Sequence, residues 1–588
     1  MKTYYNIINK VGMLTAVLFS IVTLSSCSDF LEIEPQNEIT ADNFWDEKSD
    51  IDQILMGCYA RMASNEVISR MIVWGEFRSD NVEFSGSAND DLDLQHVLKE
   101  AITANNGFTY WKDFYEIINR CNVLIENAPL VAKADPSYKP TQMKADVAEA
   151  TAIRSLMYFY LIRTFRDVPY SEEAFIDDGQ ELVVQPTPFS DLLDKLIASL
   201  EAIKNDALTA YPKTSLEYSS KFNTARITRW GIYSMLCEMY LWKGDYQQSV
   251  SYADLVINHY KETAKDTKDI TAEDLATFNG YPLIGTKLSQ ANTYGRAFNY
   301  IFVEGNSVES IFEITFVKGS DDKQLSNVPF SNYYGGDGRT PMVKYSEFVS
   351  DKKAMEEANK EHDVRFYEDI CFDQEGNPSY VNKTTAMSSV LVKGTDEFKK
   401  NSSWGSQYPT AGEKHDSRSK ANVIIYRLSD VMLMQAEAYC QMIQTDSLKN
   451  DKDVEYRDKA FAIVDAINKR SLMEQELKNT LVIDKYTTKE LITNLVMEER
   501  QRELMFEGKR YYDLVRRAMR EGNTEYLRIA CMKKNSNLAS TISNMFKNKM
   551  DAIFWPYNLD ETKVNHYLKE HQNPAFGSGE NSNIEKSK

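Results

Sequence analysis

The sequence has fewer basic than acidic residues, and it has little that could bind a metal or form disulfides. Lys and Arg number 68 against 87 Asp and Glu, which gives the 588 residues a formal net charge of −19. So acidic a chain lacks the basic surface that non-specific nucleic-acid binding needs. The seven cysteines include no pair in C-x-x-C spacing, and there are only six histidines. A disulfide framework and a zinc site are therefore not expected.

Only one stretch is strongly apolar over many residues, and it lies near the N-terminus. Residues 11–24 form an almost wholly apolar run behind Lys2 and Lys10. As a helix, this run would span about 21 Å, which is short of the roughly 30 Å hydrocarbon core of a bilayer. The run therefore predicts a signal peptide rather than a transmembrane helix.

The end of this apolar run carries a lipidation signal. Residues 24–27 read LSSC, and small residues followed directly by Cys resemble a bacterial lipobox. In that pattern the signal peptide, here residues 1–26, is removed and the thiol of the new first residue, Cys27, is acylated. Two or more acyl chains would hold the protein stably on a membrane. The alternative is an ordinary signal peptide followed by an incidental cysteine.

The rest of the chain has the composition of a globular protein with helical periodicity. Hydrophobic residues make up 43% and charged residues 26%, which excludes a disordered or collagen-like chain. Residues 230–260 place Tyr233, Cys237 and Tyr240 on one helical face, and Gly244 then fits a left-handed helix end. Two amphipathic helices joined by a tight turn resemble a tetratricopeptide hairpin.

The remaining segments predict a mainly α fold with a few short strands. Further helices are predicted at 147–166, 426–442, 456–469 and 491–506, and strands at 309–316 and 390–392. The long irregular stretches between them, 261–308, 317–350 and 372–420, are rich in Tyr, Gly and Asn. Because disordered segments are poor in aromatic residues, we interpret these stretches as ordered binding loops.

Several separated motifs resemble one family. Residues 491–516 read LITNLVMEERQRELMFEGKRYYDLVR, which is similar to the C-terminal signature of the SusD/RagB family of outer-membrane nutrient-binding lipoproteins. The segments RLSDVMLMQAEAY (427–439), EATAIRSLMYFYLIRTFRDVPY (149–170) and FWPYN…NPAF (554–576) resemble other parts of that family, in the same order. The lipobox followed by SDFLEIEP agrees with it.

This resemblance implies a SusD-like fold and a role in nutrient uptake. It implies one α-rich body in which residues 27–260 and 261–588 both carry tetratricopeptide-type helices. It implies a position on the outer face of a Gram-negative outer membrane, capping a SusC-like TonB-dependent transporter. The ligand would be an oligosaccharide or, in some relatives, a peptide, and no cofactor or catalytic activity is implied.

The resemblance also indicates where a ligand would bind. Flat Tyr and Trp side chains with nearby charged groups suit sugar rings, which present apolar C–H faces edged by hydroxyls. Family members build the ligand site from an early loop and the central loops. The candidate contacts here are Trp74, Arg78, Asp80, Tyr294, Tyr300, Tyr333, Tyr334 and Arg339. Trp404 is a further loop aromatic, whereas Trp111, Trp230 and Trp242 fall in helical stretches and are interpreted as packing residues.

Glu499, Glu503 and Glu507 lie four residues apart on one predicted helix that Gly508 would end. An enzyme could use such carboxylates for catalysis or metal binding. Because no histidine lies in this segment, we favour a structural ion network. The neighbouring partners would be Arg500, Arg502, Arg510 and Arg516.

Glu437 lies in an apolar stretch and is predicted to be a buried, paired carboxylate. Arg154 or Arg427 could supply the opposite charge. His566 and His571, and the acidic stretch 89–93, are weak candidates for metal binding, and no metal site is predicted. Two further hypotheses are a scaffold that binds only proteins and a surface glycosidase, which would need a carboxylate pair in a cleft.

Overall fold

The computed structural model describes residues 45–86, 91–176, 183–211, 222–287, 293–316, 327–335, 340–350, 363–372, 378–381, 383, 391–392, 421–472 and 480–576. The signal peptide with Cys27, Arg339 and Trp404 lie outside these ranges. In the described part of the chain, no helix combines the length and the apolar character that a membrane crossing needs.

Helices make up most of the described structure, as the sequence predicted. The first half contains α1 (Lys48–Met62), α2 (Asn65–Ile72), α3 (Leu92–Leu98), α4 (Lys112–Ala134), α5 (Pro140–Phe165), α6 (Phe189–Ile203), α7 (Phe222–Ala225), α8 (Arg229–Lys243) and α9 (Tyr246–Thr263). The second half contains α10 (Ala272–Thr277), α11 (Arg296–Phe298), α12 (Val328–Tyr334), α13 (Glu347–Ser350), α14 (Val364–Asp369), α15 (Leu428–Met442), α16 (Asp451–Ser471), α17 (Lys489–Leu504), α18 (Arg510–Glu521), α19 (Glu525–Met532), α20 (Ala539–Phe546), α21 (Leu559–Val564) and α22 (His566–Glu570). Short π-helical turns follow α2 at Val73–Phe77 and α11 at Asn299–Glu304.

The strands are short and form antiparallel pairs rather than a large sheet. They are β1 (Val82–Phe84), β2 (Val168–Pro169), β3 (Pro186–Thr187), β4 (Thr293–Tyr294), β5 (Ser310–Ile314), β6 (Val343–Tyr345), β7 (Ile370–Phe372), β8 (Pro378–Val381), β9 (Leu391–Val392) and β10 (Val423–Arg427). β1 pairs with β6, β2 with β3, β4 with β9, β5 with β10 and β7 with β8. The strands predicted at 309–316 and 390–392 are therefore confirmed.

The predicted helical hairpin at 230–260 is confirmed as α8 and α9. Gly244 has a φ of +84°, so it ends α8 in the left-handed conformation that glycine adopts without strain. The amide of Asp245 donates to the carbonyl of Tyr240 at 3.0 Å, and the Asp245 side chain caps α9. These local interactions turn the chain back on itself and set the two helices side by side.

Several predicted boundaries in the second half were wrong. α16 begins at Asp451, five residues before its predicted start at residue 456. Residues 423–427 form β10 before α15 begins at Leu428, because this β-branched, fully buried segment pairs with β5. α17 ends at Leu504, so Glu507 lies beyond the helix that carries Glu499 and Glu503. Gly508 follows later, with a φ of +72°.

One large cluster of buried hydrophobic residues runs from Ile51 to Leu568 and draws side chains from both halves of the chain. α5 lies deep within it, because nearly every residue from Ala145 to Phe165 is buried. A smaller cluster gathers around Ile284 and Ile301. The buried core thus holds the early segment 65–84 against the C-terminal helices.

Candidate functional site

Trp74, one of the candidate ligand contacts, lies in the core and not at the surface. Its side chain has no exposed surface, and its indole N–H donates to the carbonyl of Phe108 at 2.8 Å. Its ring packs on Phe114 and Phe165, with centroids 4.8 and 5.3 Å apart. The π-helical turn at Val73–Phe77 directs this side chain inwards.

Arg78 and Asp80 are also buried, and their polar atoms are occupied by protein partners. The Arg78 Nε lies 2.9 Å from Glu100, and Asp80 accepts two hydrogen bonds from Arg510. Burial raises the pKa of Asp80, but the charge and hydrogen bonds of Arg510 outweigh this effect and hold the pKa below its usual value. Both side chains are therefore enclosed by protein and not exposed to a ligand in this structure.

Tyr333 and Tyr334 on α12 pack against the same early segment. Both rings meet Phe77 edge-on, with centroids 5.1 and 5.9 Å away, and both side chains are buried. Burial raises the pKa of both hydroxyl groups, that of Tyr333 to about 12. The structure thus brings Trp74, Phe77 and these tyrosines together as core, not as a platform facing solvent.

Tyr294 and Tyr300 lie on a different part of the fold. Tyr294 is buried in β4, opposite Leu391 of β9. Tyr300 is half-buried on the second π-helical turn, and the guanidinium of Arg296 lies 6.0 Å from its ring centroid. Of the described residues that were predicted to bind ligand, Tyr300 alone is half-buried, and the others are buried.

The carboxylates on and after α17 form a buried ion network, as predicted, but most of their partners are other residues than those predicted. Glu499 pairs with Arg365 at 2.8 Å, and Glu503 pairs with Arg365, Arg427 and Arg470. Burial raises the pKa of Glu503, but the three guanidinium groups outweigh it and lower the pKa well below its usual value. Of the predicted arginines, Arg502 contacts Glu499 at 2.6 Å. These ion pairs thus join Arg365 of α14, Arg427 of β10 and Arg470 of α16 to α17.

Glu437 is buried and paired, but neither predicted partner provides the charge. Arg516 contacts it at 2.5 Å and Arg520 at 2.7 Å. Burial raises the pKa of Glu437, and the two arginines more than reverse this effect. Both partners come from α18, about eighty residues further along the chain.

Within the described ranges, no group of three or more His, Cys, Asp or Glu side chains could hold a metal ion. His571 hydrogen-bonds to the carbonyl of Tyr567, and the ring of His566 packs on the ring of Tyr567. Asp91 caps α3, and Asp93 accepts a hydrogen bond from the amide of Gly107. The histidine pair and the described residues of the acidic stretch 89–93 therefore have structural roles.

A half-open cavity lies between the start of α4, the segment 169–176 and α21. Its volume is about 430 Å³. Aromatic side chains line much of it, namely Trp111, Tyr115, Tyr158, Tyr170 and Phe175. The sequence reasoning assigned Trp111 to packing and did not single out the others. The signal was present in the sequence, since Trp111, Tyr115, Asn119 and Asn122 recur on one helical face at spacings of four, four and three residues.

Side-chain hydrogen bonds fix the walls of this cavity. The Asn119 amide donates to the carbonyl of Phe175 at 2.8 Å and accepts from its amide at 2.7 Å. The Tyr115 hydroxyl donates to the carbonyl of Pro169 at 2.7 Å, and Asn122 donates to the carbonyl of Glu173 at 3.0 Å. The segment 169–176 is thereby tied to α4, and the aromatic rings keep their positions.

Two carboxylates and one ammonium group add charge to the cavity lining. Glu116, which also contacts Arg61 at 2.8 Å, and Lys112 come from the first turns of α4, and Glu561 comes from α21. Burial raises the pKa of Glu561, although the Trp111 side chain donates a hydrogen bond to it. The cavity therefore combines ring faces with two carboxylates, of which Glu116 is paired with Arg61.

Comparison with protein families assigns the chain. A family described as "Starch-binding associating with outer membrane" matches residues 29–241, and the SusD family matches residues 287–576. The chain belongs to the SusD/RagB family. The resemblance seen in the sequence is thereby confirmed, and the two matches together span most of the chain.

Two curated SusD-like relatives come from Formosa agariphila. SusD-like protein P38 is 23% identical over 533 residues, which cover 88% of this chain and 92% of that protein. SusD-like protein P2 is 22% identical over 500 residues, which cover 84% and 88%. The similarity thus extends along nearly the whole of both proteins.

Solved structures of the SusD superfamily share the fold. One from Bacteroides vulgatus has a TM-score of 0.62 at 16% identity, covering 89% of this chain and 98% of that chain. NanU of B. fragilis has a TM-score of 0.59 at 16% identity, covering 92% and 100%. A laminarin-binding SusD-like protein has a TM-score of 0.57 at 18% identity, covering 90% and 100%. The mainly α, SusD-like fold expected from the sequence is confirmed.

Proposed function

We propose that this SusD/RagB protein is a cell-surface lipoprotein that binds oligosaccharides. The observation that carries the proposal is the family match over residues 29–241 and 287–576, because the first of these families is described as starch-binding and associated with the outer membrane. One structural neighbour is described as laminarin-binding. We infer the same class of ligand for this chain.

The anchor is the acylated thiol of Cys27, placed there by the lipobox at residues 24–27. A chain attached by acyl groups needs no transmembrane helix, and only a lipid of two or more chains holds it durably on the membrane. Because one matching family is described as associating with the outer membrane, we propose that this anchor holds the protein on the outer face of the outer membrane of a Gram-negative cell.

We further propose that the bound sugar passes to a SusC-like TonB-dependent transporter, which this protein covers. The protein acts by binding and delivery, not by catalysis. Of the described residues first selected from the sequence, Tyr300 is the one we retain as a ligand contact, because its side chain is partly exposed. Arg339 is retained with it, as the charged candidate of the central loops.

The proposal is tested on two preparations. The soluble body, residues 28–588, is applied to an array of immobilised oligosaccharides and tryptic peptides. We expect binding to sugars, whereas binding to peptides alone would favour a peptide-binding relative of the same architecture. The full-length chain is then purified from its own membranes in two forms. One is the lipidated wild type, and the other is the Cys27→Ser variant, which has no thiol to acylate. We expect a TonB-dependent transporter to copurify with the lipidated form, and its absence would contradict the delivery role.

A further inference from the structure

We propose that the cavity between α4, segment 169–176 and α21 binds an uncharged oligosaccharide through the faces of its sugar rings. This inference rests on the proposed function and adds to it a location and a charge preference. It concerns residues other than those first selected from the sequence.

The cavity has the size and shape of a small-ligand site. Its volume of about 430 Å³ lies near the lower end of the roughly 300–1,000 Å³ found for such sites. It is open to solvent, since Tyr115, Tyr170 and Phe175 are half-buried and Val564 on α21 is 67% exposed. A cavity of this size accommodates a short part of an oligosaccharide rather than a whole polysaccharide.

The aromatic walls are held in place before any ligand arrives. Tyr170 packs on Tyr158 with centroids 4.9 Å apart, and Tyr158 in turn exchanges hydrogen bonds with the backbone of Ser171. Because the rings are already ordered, a ligand that stacks on them loses little binding energy to ordering side chains. Sugar rings offer the flat C–H faces that such walls contact.

The polar groups favour a ligand that has hydroxyl groups and no negative charge. Asn119 and Asn122 are occupied by backbone partners, and Glu116 pairs with Arg61. The carboxylate of Glu561 is therefore the main acceptor that the lining offers to a ligand. A purely aliphatic ligand would displace water from this carboxylate and could not replace the hydrogen bonds that the water had made to it. Because Arg61 already pairs with Glu116 at 2.8 Å, the like-charge repulsion on an acidic sugar would come from the carboxylate of Glu561.

Calorimetric titration of residues 28–588 with matched sugars tests this site. The uncharged probes are laminarihexaose, maltohexaose and cellohexaose, and the acidic probes are hexagalacturonate and sialyllactose. We expect at least one uncharged probe to bind and the acidic probes to bind on the order of tenfold more weakly or not at all. Tighter binding of an acidic probe would overturn the charge preference.

Three variants locate the binding. Tyr170→Ala removes a wall and Val564→Trp fills the mouth from an exposed position, so each should weaken sugar binding on the order of tenfold or more. Glu561→Gln keeps the shape of the side chain and removes its charge, so it should reduce the difference in affinity between uncharged and acidic probes. Trp230→Ala is the control, because this half-buried ring stacks on His259 at 3.7 Å, outside the cavity lining. Thermal unfolding confirms that each variant is folded.

The outcomes separate this inference from the proposed function. Sugar binding that survives both Tyr170→Ala and Val564→Trp would overturn the location and leave the glycan-binding function standing. If no sugar binds the wild type, the function itself fails. Trilysine is included because a basic peptide would also suit the carboxylates, and binding of trilysine without any sugar would overturn both.

Discussion

Arg510 and Asp80 form a bidentate ion pair that joins segments 430 residues apart in the sequence. The Arg510 Nε and Nη2 atoms lie 2.8 and 2.9 Å from the two carboxylate oxygens, and both side chains are buried. The pair connects the chain just before β1 to the start of α18. Asp80 thus holds the early segment against the C-terminal helices.

Asp80→Ala is expected to destabilise the fold by about 3–5 kcal/mol, because it leaves the Arg510 charge buried without a partner. Urea unfolding measures this loss. Replacing both residues by Leu should cost less than Asp80→Ala alone, since no charge is then left unpaired. A loss below about 1 kcal/mol for Asp80→Ala would show that the pair is not buried as described.

The same pair should make the free energy of unfolding depend on pH in the acid range. The folded-state pKa of Asp80 is below its usual value of 3.8, so its contribution is present above pH 3.8 and is lost as pH falls through the folded-state pKa. The difference in unfolding free energy between wild type and Asp80→Asn should therefore shrink in strong acid. A difference that stays constant down to pH 2 would contradict this assignment.

Glu368 and Asp369 should give the opposite pH dependence. Burial, together with their mutual repulsion, raises the pKa of Glu368 from 4.5 to about 8, and burial raises that of Asp369 to about 7 against the attraction of Lys383 and Arg365. A raised carboxyl pKa contributes stability below the unfolded value of 4.5, and this contribution is lost as pH rises through the folded-state value. Glu368→Gln should thus gain stability relative to wild type between pH 4.5 and 8. Parallel pH profiles would contradict the prediction.

Gly75 lies where two backbone segments meet. A Cβ atom at this position would lie 1.9 Å from the carbonyl oxygen of Gly508, whereas one at Gly86 would meet nothing within 4 Å. Gly75→Ala should therefore displace the backbone of Gly508 and lower the melting temperature, by clearly more than the matched change Gly86→Ala. Equal melting temperatures for the two variants would mean that the segments do not approach so closely.

Trp74→Ala should affect stability rather than ligand binding. Removing so large a buried ring costs about 3–5 kcal/mol, and Trp74→Phe should cost less. At a temperature where the variant is still folded, calorimetry should give the same affinity for sugar as the wild type. A selective loss of affinity with unchanged stability would instead support the direct ligand contact first expected from the sequence.

Local signals in the sequence predicted the local structure well. The turn at Gly244 depends on one backbone conformation and the apolar faces beside it, so the α8–α9 hairpin could be predicted. The start of α15 could not, because residues 423–427 become a strand only through pairing with β5. The buried state of Glu437 followed from its apolar neighbours, but its partners Arg516 and Arg520 come from a distant helix.

The site was harder to predict for the same reason. Whether an aromatic side chain is buried in the core or exposed to a ligand depends on which residues pack over it. Nothing in the sequence around Trp74 distinguishes these two possibilities. The helical face from Trp111 to Asn122 was visible in the sequence. Its role as a cavity wall appears only when the segment 169–176 and α21 lie across from it.

Calorimetric titration of the wild-type soluble body with uncharged oligosaccharides tests the central claim most directly. The account predicts a saturable signal for at least one of these sugars, with the protein folded throughout. No signal from any oligosaccharide, from a preparation whose thermal unfolding is cooperative, would contradict it.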